Sequence, residues 1–235
     1  MTRQDPEAPR VVDLPELRER VRVFRDRIHA GEVLAGMLAG ALGPGAILLG
    51  IPAGGVPVAA EAARRLGLGL ELAVVSKILI PGNTEAGYGA VAFDGTVRLN
   101  EPLVAALRLS KTEVAAGIAA TRERVARRVR LLRRDRPFPE LAGTDAVLID
   151  DGLASGFTMQ VAIEAMRKSG AGRVHVAVPT GHLEAVRRIA PLAATLFCAN
   201  IREGASFAVA DAYRSWSDVS EDEVRRLLDL RPPPA

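Results

Sequence analysis

Five short runs of apolar residues, at 46–49, 71–76, 145–150, 173–179 and 195–198, punctuate this 235-residue sequence, and most of the chain between them carries apolar positions at helical spacing. Four of the runs are apolar almost throughout, and the run at 173–179 alternates. A continuous apolar run of this length suits a strand buried on both faces. Strands alternating with helices must join through crossovers, which gives a parallel sheet with helices on both sides. The expected fold class is therefore α/β, an open, mainly parallel sheet flanked by helices, in a single domain over 1–235.

Leu17, Val21, Phe24 and Ile28, followed by Leu34, Leu38 and Leu42, predict a helix packed along one face until Gly43-Pro44-Gly45 ends it. An alanine-rich helix is expected over 58–66. Val114, Ile118, Thr121, Val125, Val129 and Leu132 advance at an average of 3.6 residues per step and define one face of a long helix, stopped by Pro137 and Pro139. Met159, Ala162, Ile163 and Met166 stripe another, and 182–190 reads as helical. The stretch 80–100, with Gly82, Gly87, Gly89 and Gly95, predicts a mobile loop or hairpin. Residues 1–15 are expected to be a flexible N-terminus and 221–230 a C-terminal helix.

Composition narrows the function classes. Cys198 is the one cysteine, so no intrachain disulfide can form and a cytoplasmic setting is expected. No eighteen-residue window is apolar and the first ten residues hold no apolar stretch, so neither membrane nor secretion is expected. His29, His175 and His182 are scattered without zinc-site spacing, and no Walker sequence or dinucleotide glycine fingerprint occurs. Net charge is +3 and 28 of the 31 basic residues are arginine. Eight of those arginines lie between Arg122 and Arg136. Such a density could meet nucleic-acid phosphates, but without interleaved aromatics a solvated helix face or a subunit contact is favoured.

The chemistry concentrates in 147–159. There an apolar strand delivers Asp150 and Asp151, a small-residue loop follows, and a helix begins. Ligands of open α/β sheets bind outside the carboxyl ends of the strands, where this loop stands. Backbone amides of Ala154, Ser155, Gly156, Phe157 and Thr158, at the positive end of the next helix, can surround a phosphate. The Asp150 and Asp151 carboxylates are acceptors for a vicinal diol and outer partners for Mg2+, through water or the ribose. A strand-ending Asp-Asp before a glycine turn also serves simply to cap a helix. Phosphate, diol and metal together describe a ribose 5-phosphate bearing a pyrophosphate.

This string resembles the signature with which type I phosphoribosyltransferases bind 5-phosphoribosyl 1-diphosphate (PRPP), with Ser155 where threonine is usual. The resemblance covers roughly 28–228 and points to an uncharacterised phosphoribosyltransferase-like subfamily. It implies Mg2+ as cofactor, PRPP and an unidentified base or other nitrogen acceptor as partners, and a homodimer. It places the pyrophosphate loop at Pro52, Ala53, Gly54 and Gly55. Ala53 departs from the subfamily, which usually carries arginine there. Lys77 corresponds to a basic residue reaching the pyrophosphate or base and, with Asp150 and Asp151, completes the expected catalytic set. A mobile lid is implied over 81–90, with Glu85 and Tyr88 as its candidate contacts. The variable hood over the base falls at 199–220, with Phe207, Tyr213 and Trp216 as hood or packing residues.

The expected function is transfer of the 5-phosphoribosyl group from PRPP to a nucleobase or similar nitrogen nucleophile, with release of pyrophosphate. A PRPP-sensing regulator that binds nucleic acid through 122–136 is the alternative, and another phosphorylated sugar remains open.

Overall fold

The computed structural model describes residues 10–83, 86–134 and 136–229. Its main sheet has six parallel strands in the order β1 (Val11–Val12), β9 (Leu196–Arg202), β8 (Val174–His182), β7 (Ala146–Ile149), β2 (Ile47–Gly50) and β3 (Gly69–Leu72). Every residue of β2 and β7 is buried, which is why their sequences are apolar without alternation. The crossover helices are α2 (Gly55–Leu66), α5 (Phe157–Lys168) and α6 (Leu183–Ile189). Met159, Ala162, Ile163 and Met166 are the buried stripe of α5, as their spacing predicts.

A second sheet is antiparallel: β4 (Val75–Leu79), β5 (Gly87–Ala92) and β6 (Val97–Leu99). The short α3 (Glu101–Ala106) follows, and then the 23-residue α4 (Lys111–Arg133), started by a capping box between Ser110 and Glu113. Thr121, Val125 and Leu132 of the predicted face are buried, with Val114, Ile118 and Val129 partly so. The small sheet packs against both α4 and α5, and α7 (Glu221–Asp229) closes the chain's described part. No described helix is long and apolar enough to cross a membrane.

Three expectations are corrected. The apolar run 71–76 is two strands, not one, because the chain leaves the main sheet at Leu72 and enters the small sheet at Val75. Within 80–100 the hairpin alternative holds: β5 and β6 pair antiparallel and join β4 in the small sheet. The N-terminal helix begins at Arg27 (α1, Arg27–Leu38), capped by Asp26, whose carboxylate accepts the His29 amide at 2.8 Å. Before it, Val21 is 56% exposed, and Phe24 instead bridges to Tyr213. Of the expected flexible N-terminus, residues 1–9 lie outside the described residues, whereas Val11 and Val12 pair with β9 and 15–17 form a turn of 3-10 helix.

Candidate functional site

Sheet order itself creates the site. From β2 the chain crosses to β3 on one side, while from β7 it moves through β8 to β9 on the other. β2 and β7 are neighbours with Gly50 opposite Ile149, so their carboxyl ends form the topological switch point. The loops after them, Ile51 to Gly54 and Asp150 to Gly156, therefore leave the sheet side by side.

Their contact is close. A Cβ on Gly54 would collide with the Asp151 carboxylate, so only glycine lets the two loops pass. The Pro52-Ala53 peptide is cis. The Gly55 amide, expected to face a ligand, donates to the Ile51 carbonyl at 3.0 Å. The amides of Ala53 and Gly54 have no partner among the described residues and lie at the amino end of α2.

Asp150 and Asp151 are both partly buried. The Asp150 carboxylate accepts the Asp151 amide at 2.9 Å. Burial, reinforced by the Asp151 charge, pushes the Asp150 carboxyl well above the usual range. Burial also raises Asp151, but Arg27 opposes it. Both Arg27 Nε and Nη2 lie 2.9 Å from Asp151 Oδ2, while Nη1 donates to the Ser217 carbonyl at 2.7 Å. The guanidinium sits 3.8 Å from the centroid of the Trp216 ring. Tyr213 packs on Phe24 and Trp216 and donates its hydroxyl to the Asp151 carbonyl at 2.6 Å. Neither Arg27 nor this role of Tyr213 was visible in the sequence. The one usable signal was Asp26, a capping residue that marks Arg27 as the first residue of a helix.

Beyond the acids, Leu153 ties the loop to β8: its amide donates to Thr180 and its carbonyl accepts from His182, both at 2.9 Å. Gly156 has φ +75°, the left-handed conformation that starts α5 from a tight turn. The amides of Ala154, Ser155 and Gly156 have no partner among the described residues, the Phe157 amide donates to Ser155 Oγ at 3.3 Å, and Arg188 donates to the Ser155 carbonyl at 2.5 Å. Unpartnered amides at a helix amino end, held in place from α6, form a cradle of a kind that can receive an anion.

Two cavities open here. One, of about 190 Å³, is bounded by the loop from Gly152 to Gly156. The other, of about 540 Å³, is bounded by Pro52, Ala53 and Gly54 on one side and by α4 on the other. Lys77, Asp150 and Thr158 line both. Lys77 is an exposed residue within β4 rather than just past a strand. The structure thus brings Asp150, Asp151, Lys77 and both loops together.

Tyr88 does not join them. It is 1% exposed, its hydroxyl against Gly117 of α4, because β5 is the middle strand of a sheet covered by helices. It is a core residue, not part of a lid. Glu85 lies outside the described residues. Phe207 packs edge-on to His182 with Arg202 5.2 Å from its ring, and Trp216 is 40% exposed over Arg27.

The arginines of α4 have several environments. Arg133 is buried, donating to the Glu71 carboxylate at 3.2 Å and the Pro137 carbonyl at 2.9 Å. Arg134 pairs with Asp229 and Arg128 with Glu221, both acids of α7, while Arg124 and Arg128 line the larger cavity. Three or more metal-ligating side chains converge nowhere among the described residues. The adjacent acids fit a Mg2+ held chiefly by a ligand's own oxygens and water, the usual mode for this ion.

A family model described as phosphoribosyl transferase domain matches residues 43–212. A protein of Mycobacterium tuberculosis (strain ATCC 25618 / H37Rv) named "Putative phosphoribosyl transferase Rv0571c" is 37% identical over 209 residues, which is 89% of this chain and 47% of that protein. The chain thus spans about half the length of the curated relatives it matches. The crystal structure of TT1426 from Thermus thermophilus is similar at 38% identity and a TM-score of 0.69, over 87% of this chain and 97% of that one.

Proposed function

The chain belongs to the phosphoribosyl transferase domain family, and on that premise we propose that it transfers the 5-phosphoribosyl group of PRPP to a nucleobase or similar nitrogen nucleophile, releasing pyrophosphate. One observation carries the reading: two loops with unpartnered backbone amides leave adjacent strands at the switch point, and the cavities beside them share Lys77, Asp150 and Thr158. PRPP needs that layout, with a phosphate at one end, a diphosphate at the other and a diol between.

In this reading the cradle from Ala154 to Thr158 holds the 5-phosphate. Asp150 and Asp151 accept hydrogen bonds from the ribose hydroxyls and place negative charge beneath the ring as its C1 gains oxocarbenium character. The Ala53 and Gly54 amides and Lys77 support the departing diphosphate. Hydrogen bonds to charged groups contribute roughly 1.5–3 kcal/mol each. Positioning and electrostatic support suffice for such a displacement, so the protein supplies no nucleophile. Mg2+, when bound, would neutralise charge developing on the leaving group.

Calorimetric titration of PRPP with and without Mg2+, followed by a pyrophosphate-release screen over candidate acceptors, tests the reading. Mg2+-dependent binding and acceptor-dependent release are expected. Absence of PRPP binding at millimolar concentration overturns it.

A further inference from the structure

We propose that Arg124 and Arg128 of α4 supply the cationic contact to the ligand's diphosphate that Ala53 cannot make. The inference rests on the reading that this site takes a phosphoribosyl diphosphate. The loop at Pro52, Ala53 and Gly54 offers free amides but no charge of its own, and these two arginines line the same cavity of about 540 Å³.

Spacing on α4 explains why these two face the cavity. Thr121, Val125 and Leu132 are the buried seam of the helix, and residues 124 and 128, four apart, lie together along its border. Both are partly buried, whereas Arg122, Arg127 and Arg130 are exposed and Arg133 and Arg134 are engaged by Glu71 and Asp229. Arg128 uses Nε toward Glu221 at 3.2 Å, which leaves its terminal nitrogens available. Arg124 has no ion pair among the described residues. A partly buried guanidinium without a carboxylate partner is costly unless an anion arrives.

The balance of charge in the cavity points the same way. With Lys77, three cations line it against one acid, Asp150. A guanidinium fork matches phosphate oxygens in a bidentate manner, so the pair suits two linked phosphates.

Calorimetry with inorganic pyrophosphate and, separately, ribose 5-phosphate tests this on the wild type, Arg124→Gln, Arg128→Ala and the double variant. Pyrophosphate should bind about tenfold more weakly for each arginine lost, with ribose 5-phosphate affinity unchanged. Adding Ala53→Arg to the double variant should restore much of the loss. Glu221→Gln removes one of the two ion pairs that tie α4 to α7 and should leave pyrophosphate affinity intact; a loss there equal to that of Arg128→Ala would assign the effect to helix docking and overturn the role of Arg128. A double variant that binds pyrophosphate within about twofold of the wild type overturns the proposal alone. Wild-type protein that binds pyrophosphate with this arginine dependence but not PRPP overturns the transferase reading and leaves the arginine pair standing. Wild-type protein that binds no pyrophosphate overturns the arginine pair.

Discussion

Two adjacent carboxylates at the end of β7 have opposite dependencies on their surroundings. Asp150 is held against burial and a like charge, whereas Asp151 is answered by Arg27. Burial raises both carboxyls, but only Asp151 has a cation to offset it, so neutralising Asp150 should favour the fold more than neutralising Asp151. Asp150→Asn keeps the oxygen that accepts the Asp151 amide and removes the unfavourable charge. It is expected to stabilise the fold by on the order of 1 kcal/mol, or about 2–4 °C in Tm for a chain of this size. Asp151→Asn relieves burial too but strands the Arg27 guanidinium, so it should leave the fold less stable than Asp150→Asn by roughly 2–3 kcal/mol. Thermal unfolding of the two variants side by side is the check, and equal shifts would contradict it. Both should lose turnover, by about a hundredfold or more, if the acids support the ribose as proposed.

The elements differ in how openly the sequence declares them. β2, β7 and the start of β9 were legible because a fully buried parallel strand suits an unbroken apolar run, and β8 because its apolar residues alternate. The passage from β3 to β4 was not, because Ala73 and Val74 are as buried as the strands they join, and hydropathy cannot register a change of sheet. The β5–β6 hairpin was legible as an alternative to a loop, but not its place in a covered sheet, because its glycines suggest mobility and the two helices covering it come from later in the chain. Tyr88 measures that cover. Its replacement by alanine should cost about 3–5 kcal/mol, read as a lower urea midpoint with an unchanged slope, and Tyr88→Phe should cost far less. A surface role for Tyr88 would leave both near wild type. The acidic loop and the cradle were legible because their residues are contiguous. Arg27, Arg124, Arg128 and Tyr213 arrive from distant segments, and no local pattern marks where they meet.

For the molecule as a whole, the carboxylates divide by the sign of their shift. Arg173 and the Gly43 amide hold Asp145 below its ordinary range, and Arg64 and Arg65 do the same for Glu61. Their contribution is complete above the ordinary carboxylate values and is lost as pH falls through the lower, folded ones. Asp150 runs the other way: its contribution is complete below its ordinary value and is lost as pH rises through the raised, folded one. Asp150 therefore favours mildly acid over neutral pH in the unliganded protein, burial of neutral His175 works against this on the acid side, and Asp150→Asn should gain on the wild type as pH rises from acid to neutral. Denaturant titrations of both proteins across that interval give the answer, and a difference between them that stays constant with pH would refute it. The contact of Arg27 with Asp151 spans 124 positions of sequence and that with Ser217 spans 190. Closing loops of that length is entropically slow, so these contacts belong to the last events of folding. Trp216, the chain's one tryptophan, stacks on that same guanidinium, and its fluorescence during refolding is thus a clock for the moment at which the two ends of the chain lock around the acids.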